Sequence, residues 1–162
     1  MSEYSNYWVF VEALNGKAKN VGLEVIGPSK TMAAAAGEKV VAVLIGSGLD
    51  EAAAAAISYG ADQVIKVDSA DYADFSVEGY TYALQQLVEK YKPAALLLGA
   101  TSNGRELAPR LAARLKTGVA SDCTGLELVD GAIRFTRPVY SGRMLSVLEC
   151  SDRKSTRLNS SH

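Results

Sequence analysis

A polar loop between two apolar segments carries the residue types best suited to ligand chemistry. The loop and the residues after it are Thr101, Ser102, Asn103, Gly104 and Arg105. The apolar run at residues 94–98 predicts a buried strand before the loop, and leucine and alanine at helical spacing predict a helix after it, ending at Leu115. Because a helix N-terminus presents backbone N–H groups, such a strand–loop–helix unit can bind an anion. These five residues are the candidate ligand contacts of the chain.

Simpler roles for this loop stay open. A tight connection between a strand and a helix also needs glycine for backbone freedom and Ser or Asn to cap the helix. The Lys-Ser or Lys-Thr pair of a phosphate-binding P-loop does not follow Gly104. Arg105 could hold a phosphate or a carboxylate with two hydrogen bonds, or pair with Glu106 on a solvated face. Arg110 and Arg114 share a helix face, which we interpret as solvated.

A second glycine-containing loop, Gly46-Ser47-Gly48, follows the strand predicted at residues 40–45. Asp68 ends the next predicted strand, at the distance where dinucleotide folds place an acid for the ribose. However, Glu51 stands where the third glycine of that fingerprint would be, and the loop follows the second strand instead of the first. The pattern therefore favours an ordinary turn over nicotinamide binding.

Residues for nucleophilic or metal-assisted catalysis are scarce in this sequence. The one histidine is His162, the last residue, which excludes a histidine-based triad or a histidine-rich metal site in the folded part. Cys123 and Cys150 are too far apart for a CxxC or zinc pair, and we expect buried free thiols. We predict no catalytic and no metal-binding residues.

Four predicted strands alternate with four predicted helices. The strands are residues 7–12, 40–45, 63–67 and 94–98, and the helices are residues 21–36, 49–59, 76–91 and the helix ending at Leu115. This alternation predicts an α/β fold with a doubly wound, mostly parallel sheet that is covered on both faces.

Local signals predict the helix ends and their buried faces. Ser76 is the predicted cap of the third helix and Gly37 ends the first. Pro28 predicts that the first helix is kinked or starts afresh at this residue. Pro109 predicts that the last helix is kinked or begins later than Asn103. The predicted core includes Val21, Val25, Ile26, Met32, Ala33 and Ala36 of the first helix, and Tyr80 and Tyr91 of the third.

The pattern changes after Gly118. Residues 124–129 and 132–136 flank Asp130-Gly131 and predict a β-hairpin, and residues 138–150 predict a second extended pair. We therefore expect an antiparallel β-ribbon added to the parallel sheet. Residues 151–162 show no periodicity and are predicted to be a disordered or artefactual tail, which leaves residues 1–150 as an N-terminal α/β domain.

Bulk composition narrows the class of partner. The chain has 162 residues, enough for one domain with a sizeable core, and its net charge of −1 does not suggest binding to nucleic acid. No apolar run approaches the length of a membrane span, and the N-terminus lacks the pattern of a secretory signal. We expect a cytoplasmic protein without membrane insertion.

One long motif resembles a known family. Residues 99–112 read Gly-Ala-Thr-x-x-Gly-Arg-Glu-Leu-Ala-Pro-Arg-Leu-Ala and are followed by Thr117-Gly118 and by Ser-Asp-Cys-Thr at residues 121–124. A Tyr-Gly-Ala-Asp corner at residues 59–62 and Arg-Pro-Val-Tyr-Ser-Gly at residues 137–142 add to the likeness. Together these residues resemble the N-terminal domain of the electron transfer flavoprotein alpha subunit, over roughly residues 8–150.

The resemblance implies a fold of the adenine-nucleotide-binding type shared with universal stress proteins. It also implies a beta subunit as partner, acyl-CoA-type dehydrogenases as electron donors, as in fatty acid β-oxidation, and FAD in the full-length subunit. The FAD motifs of the family belong to its second domain, so FAD is not expected to bind to this chain. Residues 101–105 would then be a relic of the fold or a subunit interface. An independent adenine-nucleotide-binding module is the alternative, and a NAD-dependent oxidoreductase is a third possibility.

Overall fold

The computed structural model describes residues 5–123, 125–129, 132–136 and 144–148. The strands are β1 (Tyr7–Phe10), β2 (Ala13–Leu14), β3 (Lys17–Ala18), β4 (Val40–Gly46), β5 (Gln63–Asp68), β6 (Ala95–Gly99), β7 (Val119–Cys123), β8 (Gly125–Val129), β9 (Ala132–Thr136) and β10 (Met144–Leu148). The α-helices are α1 (Asn20–Ala36), α2 (Asp50–Ser58), α3 (Val77–Tyr91) and α4 (Ser102–Leu115). A short 3-10 helix spans Ala70–Tyr72.

Four parallel strands form the main part of the sheet, in the order β5-β4-β1-β6. Every residue of β1, β4 and β6 is buried, because helices cover both faces of the sheet. Side chains of β1 alternate between two cores: Tyr7 and Val9 pack with α1 and α2, whereas Trp8 and Phe10 pack with α3 and α4. The predicted doubly wound α/β fold is confirmed.

Two antiparallel strands extend this sheet past β6. The order continues β6-β10-β7, and both new pairings are antiparallel. The predicted hairpin is confirmed as a separate two-stranded sheet of β8 and β9. The sequence did not predict β7. Of the second extended pair predicted at residues 138–150, only β10 lies among the described residues, and the tail at residues 151–162 lies outside them.

Proline does not interrupt either helix that contains it. The first helix runs unbroken from Asn20 to Ala36 with Pro28 inside it, so of the two predicted alternatives the restart at Pro28 is wrong and the kink stays a prediction. The hydroxyl of Ser29 donates to the carbonyl of Val25 at 2.9 Å within the same turn. The last helix begins at Ser102 and continues through Pro109, so the predicted start beyond Asn103 is also wrong, and the alternative of a kink stays a prediction here too. Packing against the sheet outweighs the one backbone hydrogen bond that each proline removes.

The predicted helix ends are confirmed, and two predicted core residues are not. Ser76 accepts a hydrogen bond from Gly79 N at 3.2 Å, and Gly37 ends α1 with φ of 72°. Tyr80 is buried as predicted, but Tyr91 is 51% exposed, with its ring tilted against Trp8 at 6.3 Å between centroids. Val21, the second residue of α1, is 40% exposed although its side chain lies against Gly99.

Two kinds of functional feature are absent from the described part of the chain. No described helix is long and apolar enough to cross a membrane. The same residues contain no group of three or more His, Cys, Asp or Glu side chains that could hold a metal ion. The predicted burial of the thiols of Cys123 and Cys150 concerns side chains outside the described part.

We predict that Pro28→Ala stabilises the fold by roughly 2 kcal/mol. Proline in a helix interior costs about 3 kcal/mol relative to alanine. The unfolded chain gains conformational freedom when proline is replaced, which lowers the stability of the variant by about 1 kcal/mol. Urea unfolding measures the difference. Pro93→Ala is the control outside any helix, and because Pro93 is buried this change should leave the stability unchanged or lower it. A stability at or below that of the parent would show that contacts of the Pro28 ring outweigh the missing hydrogen bond.

Candidate functional site

The chain reverses its direction of winding between β1 and β6. These strands are parallel neighbours, but β1 is followed by α1 on one face of the sheet and β6 by α4 on the other. The crevice at the carboxyl ends of two such strands is where doubly wound folds bind their ligands. The candidate residues 101–105 follow β6 directly, so the structure places them at this switch point.

Thr101 is the N-cap of α4 and links the two sides of the crevice. Its hydroxyl accepts a hydrogen bond from Gly104 N at 3.0 Å, as an N-cap side chain does. The same hydroxyl donates to Oε2 of Glu12, which lies just beyond β1. One side-chain oxygen therefore joins the end of β1 to the first turn of α4.

Glu12 is a buried carboxylate with few partners. Its side chain is 10% exposed, and its second oxygen, Oε1, has no hydrogen-bond partner in the described part of the chain. Nζ of Lys19 lies 3.8 Å from Oε1, on a side chain that is 41% exposed. The first turn of α4 contains no acidic residue, so Glu12 supplies negative charge next to the positive end of that helix.

Close packing at two glycines shapes the loop. A Cβ at Gly99 would lie 2.3 Å from Cγ1 of Val21, and a Cβ at Gly104 would lie 2.2 Å from the carbonyl oxygen of Gly99. Gly104 is helical with a negative φ, so the requirement for glycine comes from this contact and not from an unusual backbone conformation. Atoms of the protein thus fill the space beside the loop.

The five predicted site residues all lie at the start of α4, but only two of them are joined by a side-chain hydrogen bond among the described contacts. The structure brings Thr101 and Gly104 together in the helix cap. Ser102 and Arg105 are exposed and Asn103 is partly buried, all in the first turn of α4, where Arg105 N donates to the Thr101 carbonyl at 2.9 Å. Sequence reasoning missed Glu12. Its signal was an acid that directly follows an apolar strand.

The second glycine loop is closed by an internal acid. The carboxylate of Asp68 accepts hydrogen bonds from Gly48 N at 2.8 Å and Leu49 N at 2.9 Å, and these bonds, that from Leu49 foremost, hold the pKa of Asp68 below its ordinary 3.8. The turn between β2 and β3 presses on the same loop, since a Cβ at Gly16 would lie 2.6 Å from the Gly48 carbonyl oxygen. Asp68 is occupied by the amides of the loop that leads into α2, which favours the ordinary turn over a ribose site.

Arg110 and Arg114 connect two exposed helix faces. A guanidinium nitrogen of Arg110 lies 3.1 Å from Oε1 of Glu78, and one of Arg114 lies 3.4 Å from the side-chain oxygen of Gln85. Both arginines are exposed, and exposed pairs of this kind contribute little to stability. Their positions on α4, facing α3, agree with the solvated face that we predicted.

We predict that Gly104→Ala destabilises the fold by roughly 1–3 kcal/mol, because its methyl group would overlap the Gly99 carbonyl oxygen. Gly79→Ala is a matched control. Gly79 is also the third residue of its helix and also donates its N–H to the N-cap hydroxyl, but its Cβ would meet only ordinary contacts at 3.5–3.7 Å. The control should be neutral or more stable by up to about 1 kcal/mol. Equal melting temperatures for both variants would contradict the packing argument.

We predict that Asp68→Asn lowers the melting temperature at neutral pH. A carboxyl whose pKa is lowered by folding stabilises the fold above its unfolded pKa, near 3.8, and that contribution disappears as the pH falls through the folded-state pKa. Parent and variant should therefore converge at acid pH. The control is Asp74→Asn, which removes the same charge from an exposed position six residues later. A difference that stays constant from neutral to acid pH would rule out the ionic role of Asp68.

Comparison with known proteins identifies the family of this chain. Residues 7–155 match the sequence profile described as the electron transfer flavoprotein domain. The chain is 41% identical to the electron transfer flavoprotein subunit alpha of Thermoanaerobacterium thermosaccharolyticum, over 95% of this chain and 47% of the relative. It is 38% identical to the subunit of the same name from Clostridium acetobutylicum, over 94% and 46%.

A third relative carries a name that indicates a different function. The lactate dehydrogenase (NAD(+),ferredoxin) subunit LctC of Acetobacterium woodii is 37% identical over 90% of this chain and 35% of its own length. The chain spans about half the length of the two alpha subunits that it matches, and about a third of LctC. Because the family profile covers nearly the whole chain, this protein belongs to the electron transfer flavoprotein family, where it corresponds to the N-terminal part of the alpha subunit.

Proposed function

We propose that this chain is the scaffold and subunit-interface domain of the alpha subunit of an electron transfer flavoprotein. The complete protein would accept electrons from acyl-CoA-type dehydrogenases through FAD and pass them on, with a beta subunit as partner. In this role the described residues build a rigid frame and perform no chemical step themselves. The cytoplasm is the proposed compartment.

The observation behind the scaffold role is the Glu12–Thr101 contact at the switch point. The phosphate groups of FAD or of an adenine nucleotide would need the N–H groups at the start of α4, the end of that helix to which anions are attracted. A buried carboxylate already lies there, one hydroxyl away from the Gly104 amide. Two like charges in a buried crevice repel strongly, so the described residues do not fit a phosphate group.

Packing at the two glycine loops supports the same proposal. Val21 lies against Gly99, and the loop at Gly46–Gly48 borders a cavity of about 130 Å³, which is too small to enclose a dinucleotide. Asp68 uses both carboxylate oxygens to bind the amides of its own loop. No electron-transfer step is therefore assigned to these residues.

The names of the relatives bear on the type of electron donor. One relative is an acryloyl-CoA reductase electron transfer subunit beta from Anaerotignum propionicum, 31% identical over 93% of this chain. LctC is named for lactate dehydrogenase, and another relative is the protein FixB of Rhizobium meliloti, 39% identical over 95% of this chain. We favour an acyl-CoA-type donor, as in fatty acid β-oxidation, because the name of the acryloyl-CoA reductase subunit refers to an acyl-CoA compound.

An independent adenine-nucleotide-binding module is the second candidate. The observation in its favour is the position of Thr101–Arg105 at the carboxyl end of β6, on a helix N-terminus at the switch point. In that case Arg105 would supply charge to a phosphate, and Arg105→Ala would weaken AMP or ATP binding at least tenfold. The scaffold proposal expects no nucleotide binding for this variant to lose.

The test is co-purification and calorimetry with the 162-residue chain. Co-expressed with an electron transfer flavoprotein beta subunit, the chain should elute as a one-to-one complex. Purified alone with added FAD, it should be colourless, and titration with AMP, ATP or FAD should give no saturable heat. A stoichiometric yellow complex of the chain alone, or a micromolar AMP or ATP isotherm that Arg105→Ala abolishes, would overturn the scaffold role.

A further inference from the structure

We propose that Glu12 is the residue that excludes anionic ligands from the N-terminus of α4. In this view the crevice between β1 and β6 is an anion site that the protein fills with its own carboxylate. Neutralising Glu12 should create a site for a phosphate group, either inorganic phosphate or the phosphate of a nucleotide. The inference deepens the scaffold function proposed above and rests on it, because it names the residue that keeps the crevice free of nucleotide.

The first argument is the position of the carboxylate. Oε2 of Glu12 accepts a hydrogen bond from the Thr101 hydroxyl, and that hydroxyl accepts from Gly104 N. Thr101 is the N-cap of α4, a helix of 14 residues whose first N–H groups carry partial positive charge. The carboxylate therefore lies beside the end of the helix, on the side where a ligand phosphate would approach.

The second argument is that Glu12 is poorly satisfied where it lies. Its side chain is nine-tenths buried, yet Oε1 has no hydrogen-bond partner in the described part of the chain, and the Lys19 ammonium is 3.8 Å away. A buried charge with so few hydrogen bonds is unfavourable for folding. A neutral amide could accept the Thr101 hydroxyl equally well, so the hydrogen bond alone does not account for a charged residue here.

The third argument comes from the other helices that begin at this edge of the sheet. At α2 the first turn contains Asp50 and Glu51, and the exposed Asp68 accepts hydrogen bonds from two amides of the loop before the helix. The first turn of α3 contains Glu78 and is capped by Ser76. The first turns of α1 and α4 contain no acidic residue, and Glu12 lies next to both helices: Oε2 accepts from Thr101, the N-cap of α4, and Oε1 lies 3.8 Å from Nζ of Lys19, the N-cap of α1. Glu12 therefore supplies, from a buried position in the crevice, the negative charge that these two first turns lack.

The experiment compares the parent with Glu12→Gln, which keeps the side-chain volume and removes the charge. Amide spectra of the full 162-residue chain are recorded during titration with inorganic phosphate, with AMP and with uncharged adenosine. The matched control is Glu24→Gln, which makes the same change at an exposed position on α1. All variants are first checked for folding by circular dichroism and thermal melting.

We expect saturable phosphate-induced shifts at the amides of residues 102–104 in Glu12→Gln. The affinity for phosphate should be at least about tenfold higher than in the parent and the control, because a like charge has been removed from a desolvated site. Adenosine should not bind. Equal affinities for phosphate and AMP would identify the phosphate group alone as the ligand, whereas tighter AMP binding would identify a nucleotide site; both results support the exclusion role.

A folded Glu12→Gln variant that shows no phosphate-induced shifts would overturn the proposal. Glu12→Ala serves as the second variant if Glu12→Gln does not fold, and failure of both to fold would also overturn it, because Glu12 would then be needed for folding. Nucleotide binding by the parent would contradict the scaffold function instead. The ratio of affinities between parent and variant tests the exclusion role separately in that case.

Discussion

Burial of β1 on both of its faces is the constraint on which the other elements depend. The strand lies between β4 and β6 and pairs with both in parallel register, from Tyr7 with Val40 and Ala95 to Phe10 with Val43 and Leu98. Each of its side chains must be covered by a helix layer, since apolar surface on either face would otherwise remain in water. This requirement places α1 and α2 on one face and α3 and α4 on the other.

The same arrangement creates the crevice at the carboxyl end of the sheet. Because the helices that follow β1 and β6 leave toward opposite faces, the ends of these strands have no helix directly between them. In this protein the gap is filled by side chains of the chain itself: Glu12, Thr101 and Val21. The side chains at this edge therefore occupy positions where other folds of this class bind a ligand.

The glycines at this edge show how tightly it is packed. Gly99 and Gly104 approach Val21 and each other within distances that leave no room for a methyl group. A contact of this kind couples the end of β6 to the starts of α1 and α4, so the three elements are positioned together. Two glycines of the long motif that begins at Gly99 meet this packing requirement.

The sequence by itself determined the elements and the family. Local preferences can be recognised within a window of a few residues. They include the apolar runs, the helical spacing, Ser76, Gly37 and the hairpin pattern at Asp130-Gly131. The motif at residues 99–112 was long enough to indicate the electron transfer flavoprotein family. The location of the five candidate residues at a helix N-terminus also followed from the sequence, since it required only a strand, a loop and a helix in order.

The tertiary structure alone decided how the crevice is filled. Glu12 and Thr101 are 89 positions apart, and Asp68 binds amides 19 and 20 positions earlier, so no local pattern could pair them. The continuity of α1 through Pro28 and the exposure of Tyr91 depend on which helix face meets the sheet. The strand β7 forms because β10 provides an edge for it to pair with. In each case the deciding interaction joins segments that are distant in sequence, and only the order of strands in the sheet brings them together.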